Sequence, residues 1–202
     1  MGTESVSIAP LILASASPRR RELLQRFALD FEVQPAAIDE SPRALEQAAD
    51  YVVRMAQEKA LAVAARWPQR AVLAADTSVV LAGVILGKPR DEVDARAMLE
   101  SLSDQVHQVM TAVTLITPNL NPDLESETRL SCTDVRFAPL DSAWVDAYIA
   151  SGDPMDKAGA YGIQNAAGLK VRRIEGSYSG VVGLPLYETG ELLGTAGLLV
   201  RP

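Results

Sequence analysis

An apolar run passes directly into an arginine-rich helix start at Pro10-Leu11-Ile12-Leu13-Ala14-Ser15-Ala16-Ser17-Pro18-Arg19-Arg20-Arg21. The apolar part, 10–14, predicts a short buried strand. Ser17 is a preferred N-cap residue and Pro18 suits the first helical position, so we predict a helix over 18–26. The helix dipole disfavours cations at this end. Either a bound anion such as phosphate explains the three arginines, or they are solvated surface residues that pair with nearby glutamates.

Strand and helix patterns alternate along the rest of the chain. Short apolar or alternating segments predict strands over 31–35, 71–75, 78–82, 84–86, 106–117, 128–137 and 169–174. Amphipathic segments predict helices over 45–67, 91–101, 141–150 and 184–193, and glycine-rich loops are expected at 158–168 and 176–180. Because the central strands form hairpins, we predict an α/β fold with a mixed sheet. Neither a repeat nor a linker interrupts the pattern, so residues 1–202 are expected to form a single domain.

Composition excludes several classes of protein. Of the 202 residues, 48% are hydrophobic and 22% are charged, which is the balance of a folded globular protein rather than a disordered one. The net charge of −7 argues against a general nucleic-acid or anionic-membrane binder. The single cysteine, Cys132, rules out an internal disulfide and favours a reducing compartment. The sequence has no secretory signal or membrane span that we can identify, so we expect a cytoplasmic protein.

Asp76 is the most conspicuous candidate for chemistry because it stands between two apolar stretches, 71–75 and 79–81. A carboxylate in such a place needs a metal, a cation or a proton-transfer role, unless it only turns the chain at a strand end. Lys88 precedes a proline, which favours an extended backbone and a projecting side chain, although Gly-Lys-Pro is also an ordinary turn. Lys59 and the loop acid Glu40 are explained as solvated residues unless they converge on this site.

Two further polar residues, Gln164 and His107, are considered although the sequence around them gives no strong indication of a function. Gln164 lies in a glycine-rich loop, where its amide could read the edge of a base, and His107 is interpreted as a structural histidine within a strand. A cation-lined helix start, an acid and no nucleophile–base pair together indicate metal-assisted hydrolysis of a phosphate compound by water.

Six motifs in order resemble the Maf family of nucleoside triphosphate pyrophosphatases. They span about residues 11–193 and are Leu13-Ala14-Ser15-Ala16-Ser17-Pro18-Arg19-Arg20-Arg21-Glu22-Leu23-Leu24, Glu58-Lys59-Ala60, Ala75-Asp76-Thr77, Gly87-Lys88-Pro89, Asp156-Lys157-Ala158-Gly159-Ala160-Tyr161-Gly162-Ile163-Gln164 and Val182-Gly183-Leu184-Pro185-Leu186. The resemblance implies the fold of the inosine-triphosphate pyrophosphatase superfamily, an elongated mixed sheet flanked by helices with a cleft between two lobes. It also implies hydrolysis of a nucleoside triphosphate to the monophosphate and pyrophosphate, with Mg²⁺ or Mn²⁺ as cofactor.

The resemblance assigns roles residue by residue. It makes Asp76 the proton acceptor that activates water and, with Glu40, a metal ligand. The remaining residues are the phosphate-binding set Ser15, Arg19, Arg20, Lys59 and Lys88, and the specificity set Arg19, Thr77, Gln164 and Lys157. Arginine after Ser-Pro, threonine after the aspartate and the loop glutamine mark the branch acting on dTTP and UTP. Asn165 departs from the family pattern, in which glycine often follows the glutamine.

Two alternatives remain open from the sequence. A house-cleaning pyrophosphatase for a modified purine nucleotide such as 7-methyl-GTP is one, and a nucleotide-binding regulator of cell division is the other. The expected partner is the nucleotide substrate, without nucleic acid or membrane, and homodimer formation is left open.

Overall fold

A mixed sheet forms the centre of the computed structural model, which describes residues 10–118 and 125–199. Within these ranges it has seven strands: β1 (Leu11–Leu13), β2 (Phe31–Val33), β3 (Val72–Leu81), β4 (Val84–Leu86), β5 (Val106–Thr117), β6 (Glu125–Phe137) and β7 (Val171–Glu175). Their order is β2-β1-β3-β5-β6-β7, with β4 paired to β3. Strand β1 is parallel to β2 and β3, and the other pairs are antiparallel.

Helices flank this sheet: α1 (Pro18–Gln25), α2 (Ala48–Ala64), α3 (Glu92–Leu102), α4 (Ser142–Ala150), α5 (Tyr178–Val182) and α6 (Leu186–Thr195). The predicted mixed α/β fold is therefore confirmed. No helix in the described part of the chain is long and apolar enough to cross a lipid bilayer.

Strand β3 corrects the sequence prediction of two strands separated near Asp76. The strand is continuous because β5 pairs with every residue of β3 from Val72 to Val80. Long-range pairing thus overrides the local interruption by a charged residue. Asp76 lies in the middle of a strand, and the interpretation of Asp76 as a turn residue at a strand end is wrong.

The opposite edge of β3 contains a gap. Strand β1 pairs there only with Val72 and Leu73, and β4 pairs only from Val79 onward. Residues 74–78 consequently have no strand neighbour on this edge among the described residues. One hydrophobic cluster, which includes Leu73, packs before the gap, and a second cluster, which includes Val79, packs after it. The gap is the origin of the cleft described below.

Helix α1 begins where the sequence predicts it. Ser17 caps the helix, and its Oγ accepts a hydrogen bond from the Arg20 backbone N–H at 3.5 Å. Leu23 and Leu24 are buried in the same cluster as Leu13. Burial of a leucine contributes about 2 kcal/mol, so these contacts fix the helix start beside the end of β1.

Several other boundaries differ from the sequence prediction by a few residues, and two of the differences have a clear local cause. Helix α2 begins at Ala48 rather than at 45, because Leu45 has a left-handed backbone (φ 61°) and is 97% exposed. The predicted loop 176–180 contains the start of helix α5, whose N-cap Ser177 accepts a hydrogen bond from Gly180 N–H at 3.0 Å. Because the segment is rich in glycine, the sequence favours a loop and does not identify Ser177 as an N-cap. The asparagines and prolines of 118–122 also predict a loop between β5 and β6; most of that loop, together with residues 1–9 and 200–202, lies outside the described residues.

Candidate active site

The gap in the β3 edge opens into a cleft of about 730 Å³. All ten residues that the sequence predicts for the site line this cleft: Ser15, Arg19, Arg20, Glu40, Lys59, Asp76, Thr77, Lys88, Lys157 and Gln164. They come from the β1–α1 junction and the start of α1, the segment between β2 and α2, α2 itself, the middle of β3, the segment after β4 and the loop before β7. A volume of this size accommodates a small-molecule ligand.

The charge of the cleft differs in sign from that of the chain. Five cationic side chains and three carboxylates, including Asp156, line it, which gives a net formal charge of +2. The chain as a whole carries −7. Positive charge concentrated between low-dielectric walls attracts a polyanion even when the whole protein is acidic.

The middle of β3 presents functional side chains on both faces of the sheet. Successive residues of a strand point to opposite faces, so Asp76 and Thr77 face different neighbours. Asp76 contacts Lys59 of α2, and Thr77 contacts Arg20 of α1. Because no strand covers this edge, both side chains line the same cleft.

A lysine joins two carboxylates on the α2 side of the cleft. The Nζ atom of Lys59 lies 2.7 Å from Asp76 Oδ1 and 3.0 Å from Glu40 Oε2. Asp76 and Lys59 are buried, at 6% and 7% exposure, whereas the Glu40 side chain is half-exposed. Tyr51 donates a hydrogen bond to the Glu40 carbonyl oxygen at 2.8 Å, which anchors the loop that carries Glu40. The two carboxylates therefore converge on the Lys59 ammonium group, and all three side chains line the cleft.

This convergence fits a divalent cation that arrives with a substrate. The described residues contain no group of three or more His, Cys, Asp or Glu side chains that could hold an ion. Mg²⁺ at phosphate sites is bound through one or two carboxylates and otherwise by waters and phosphate oxygens. Glu40 and Asp76 are the two carboxylates that would form such a pair.

Arg20 is the central residue on the opposite side of the cleft. Its Nε donates to the Gly183 carbonyl at 2.8 Å, Nη1 donates to Ser15 Oγ at 3.3 Å and Nη2 donates to Thr77 Oγ1 at 3.1 Å. Burial lowers the pKa of Arg20, and the nearby Asp76 carboxylate opposes this shift. A guanidinium carries five N–H donors, so two remain for an anion in the cleft.

The predicted specificity residue Lys157 holds a loop in place. Its Nζ contacts the Asp153 carbonyl at 2.6 Å, Asp153 Oδ1 at 3.2 Å and Asp156 Oδ1 at 2.6 Å. These contacts use all three N–H donors of the ammonium group. Arg19 pairs with the same Asp156 at 3.3 Å, and Asn165 donates to Asp153. The cluster thus ties α1 to the loop that presents the exposed Gln164.

His107 lies outside the cleft, in keeping with the interpretation of a structural histidine. It is 1% exposed, and its Nε2 lies 2.7 Å from the Tyr161 hydroxyl. Burial lowers its pKa to about 4. The imidazole is therefore neutral at physiological pH.

Sequence reasoning missed several residues that shape the site. Thr111 contacts Thr77 across the sheet, Asp153 is the acceptor in the Lys157 cluster, and Gly183 provides a carbonyl to Arg20. Gly183 lies within the last of the six motifs, although no role is assigned to it there, and Asp153 lies a few residues before the fifth motif. Thr111 has no local signal, because it is one of several threonines in an alternating strand.

Comparison with known proteins gives a consistent result. The family model described as Maf-like protein matches residues 10–196. A dTTP/UTP pyrophosphatase from Alcanivorax borkumensis (strain ATCC 700651 / DSM 11573 / NCIMB 13689 / SK2) is 52% identical over 185 residues, covering 91% of this chain and 93% of that protein. A dTTP/UTP pyrophosphatase from Anaeromyxobacter sp. (strain Fw109-5) is 53% identical over 188 residues, covering 93% of this chain and 89% of that protein.

Solved structures include a HAM1 protein from Coxiella burnetii. It is 15% identical to this chain, covers 92% of this chain and 96% of its own, and superposes with a TM-score of 0.46.

Proposed function

Because the chain belongs to the Maf-like protein family, we propose that it hydrolyses dTTP and UTP to the nucleoside monophosphate and pyrophosphate. The observation that carries this proposal is the convergence of Asp76 with Arg19, Arg20, Lys59 and Lys88 in one cleft. More than half of the aligned residues are identical to those of two proteins named dTTP/UTP pyrophosphatase, which supports dTTP and UTP as the substrates of this chain.

The cationic side chains of the cleft would neutralise the negative charge that slows this reaction. The α-phosphorus of a nucleotide is surrounded by oxyanions that repel a nucleophile, so their charge must be neutralised before attack. Arg20 retains two N–H donors, and its guanidinium is held rigidly by three protein acceptors. The exposed Lys88 lines the cleft from the segment after β4 and adds a point charge on a flexible stem.

Asp76 is suited to accept a proton from the attacking water. Lys59 holds Oδ1 at 2.7 Å, while Oδ2 receives no hydrogen bond from the described residues. We assign Oδ2 as the proton acceptor. As the water oxygen bonds to the α-phosphorus, the bond between that phosphorus and the bridging oxygen breaks, and pyrophosphate leaves.

Glu40 and Asp76 would hold a divalent cation, Mg²⁺ or Mn²⁺, which would further neutralise the phosphate oxygens. Gln164, with Arg19 and Thr77, is assigned to the base, since an amide both donates and accepts. We assign the reaction to the cytoplasm, where a single free cysteine remains reduced.

A product analysis over a nucleotide panel tests this function. The purified protein is incubated with dTTP, UTP, CTP, GTP, 7-methyl-GTP and ATP in the presence of Mg²⁺ or Mn²⁺, and products are separated by ion-exchange chromatography. We expect monophosphate and pyrophosphate in equal amounts, with the highest kcat/KM for dTTP and UTP. Release of inorganic phosphate with a diphosphate would contradict attack at the α-phosphorus. A preference for a purine nucleotide, or binding without turnover, would favour one of the two alternatives.

A further inference from the structure

Residues 39–46, which we call the Glu40 loop, connect to α2 without an apolar anchor over most of their length. All residues from 39 to 45 are exposed, and none of them belongs to a helix or a strand. Glu40 nevertheless lies with its Oε2 atom 3.0 Å from Lys59 Nζ, beside the buried Asp76. Because no buried side chain offsets the conformational entropy lost on ordering this loop, its position depends on polar contacts.

Arg54 of α2 makes such contacts at both ends of the loop. Its Nε lies 2.5 Å from Glu46 Oε1 and its Nη2 lies 2.6 Å from Glu46 Oε2, which is the two-bond fork between a guanidinium and a carboxylate. Nη2 also donates to the carbonyl oxygen of Ser41, the residue after Glu40, at 3.2 Å. Nη1 lies 3.3 Å from Glu58 Oε2 on the same helix, so the guanidinium is held from behind.

The Arg54–Glu46 pair is shielded from water although it lies beside an exposed loop. The two side chains are only 14% and 9% exposed. The hydrogen bonds from Arg54 lower the pKa of Glu46 to about 2, so this carboxylate stays charged near neutral pH. Arg54 also lies over the ring of Tyr51, with Cζ 5.6 Å from the ring centroid. Since the Tyr51 hydroxyl holds the Glu40 carbonyl at 2.8 Å, the fork and the ring act on neighbouring carbonyls of one loop.

We propose that Arg54 is a positioning residue that holds the Glu40 loop, and through it the Glu40 carboxylate, in place for a divalent cation. This inference rests on the proposed function and deepens it. Neither Arg54 nor Glu46 lines the cleft, so both act through the loop rather than on the nucleotide or the cation. A loop that adopted this conformation only part of the time would bind the cation correspondingly more weakly.

Two substitutions that remove opposite charges separate the effect of position from that of charge. By electrostatics alone, Arg54→Gln would strengthen cation binding and Glu46→Gln would weaken it. Loss of the fork instead weakens cation binding in both variants. Arg96→Gln is the matched control, because Arg96 also pairs with two carboxylates, those of Asp146 and Glu100, but does not line the cleft. Folding is checked by circular dichroism, and Arg54→Lys, which keeps the charge without the planar fork, serves if Arg54→Gln does not fold.

The first measurement is the rate of tryptic cleavage after Arg43, which lies in the exposed part of the Glu40 loop. Fragments are followed by mass spectrometry in the absence of nucleotide and metal. We expect cleavage to be about tenfold faster or more in Arg54→Gln and Glu46→Gln, the effect of one hydrogen bond to a charged group. Arg96→Gln should be cleaved at the wild-type rate. Equal rates in the wild type and both loop variants would overturn the inference.

The second measurement is the Kd of a UTP analogue with a methylene group between the α- and β-phosphates, determined by calorimetry with and without Mg²⁺. In the wild type and in Arg96→Gln, we expect Mg²⁺ to lower this Kd. That gain should be largely lost in both Arg54→Gln and Glu46→Gln, while their Kd without Mg²⁺ should not rise. A gain that increases in Arg54→Gln, or that is unchanged in both loop variants, would overturn the inference.

Turnover of UTP by the wild type separates failure of this inference from failure of the proposed function. Hydrolysis that does not depend on a divalent cation would overturn the inference while leaving the proposed hydrolysis intact. Absence of UTP hydrolysis with either Mg²⁺ or Mn²⁺ would refute the proposed function itself, and with it the role of Glu40 in that function.

Discussion

At the scale of single residues, Asp76 is the least expected feature of the molecule. It is a carboxylate in the middle of a strand, 6% exposed, with buried Ala74 and Ala75 before it. Burial of a lone carboxylate costs several kcal/mol or more. Lys59 offsets that cost at 2.7 Å, and the ion pair leaves one carboxylate oxygen toward the cleft. A residue that only stabilised the fold would not need that open side.

Replacing Asp76 by asparagine is expected to lower kcat for UTP by at least about 10²-fold, the usual scale for loss of a general base. The amide has nearly the same shape but cannot accept the proton of water. Steady-state pyrophosphate release measures the effect, and Asp134→Asn is the control, since Asp134 is an exposed strand aspartate outside the cleft. A folded Asp76→Asn protein with near-normal turnover would show that the proton goes elsewhere.

At the scale of elements, the loop before β7 controls the position of Gln164. A Cβ atom added at Gly168 would lie 2.2 Å from the Ile163 carbonyl oxygen, which is backbone and cannot rotate away. Ile163 is the residue directly before Gln164. This loop conformation therefore has no room for a side chain at position 168, and a change there would displace the backbone directly before Gln164.

Gly168→Ala is accordingly expected to raise KM for UTP more than it lowers kcat, because Gln164 moves while Asp76 and its partners on α2 and β3 stay in place. Gly194→Ala is the matched control, since nothing lies within 4 Å of a Cβ added at that helical position. It should leave both constants unchanged and stabilise the protein by up to about 1 kcal/mol in urea denaturation. Equal kinetic constants for Gly168→Ala and the wild type would show that the loop does not position the glutamine.

At the scale of the whole molecule, stability depends on keeping His107 neutral. The ring packs edge-on against Phe137 and Tyr161, at centroid distances of 5.2 and 5.4 Å. Burial lowers its pKa to about 4, against 6.5 for the unperturbed group. Between these values the unfolded chain binds a proton that the folded protein does not, so the free energy of unfolding falls as the pH falls.

The expected loss is about 2 kcal/mol between pH 7 and pH 5, and about 3 kcal/mol by pH 4, from 1.36 kcal/mol per pKa unit. Urea denaturation at several pH values measures it. His107→Gln keeps a polar group for Tyr161 but does not titrate, so its stability should vary less over this range even though it is lower throughout. Parallel curves for the two proteins would assign the acid sensitivity to other groups.

Local interactions explain what the sequence alone establishes. Periodicity, the N-cap Ser17 and Pro18 act within one or two helical turns, and Ser17 accepts the expected hydrogen bond. The motifs are likewise short, which is why the residues of the site could be identified before their arrangement was known.

Tertiary structure supplies what depends on partners distant in sequence. β3 continues through Asp76 because β5 pairs along it, and the open edge results from where β1 and β4 stop. Arg20 meets Gly183 across 163 positions, and Thr77 meets Thr111 across 34. The sequence around a threonine, a lysine or a backbone carbonyl is the same whether that group contacts water, a substrate or a buried acceptor. The hydrogen-bond partners of Thr77 and the saturation of Lys157 therefore depend on packing, since a hydrogen bond is assigned only when both partners are in place.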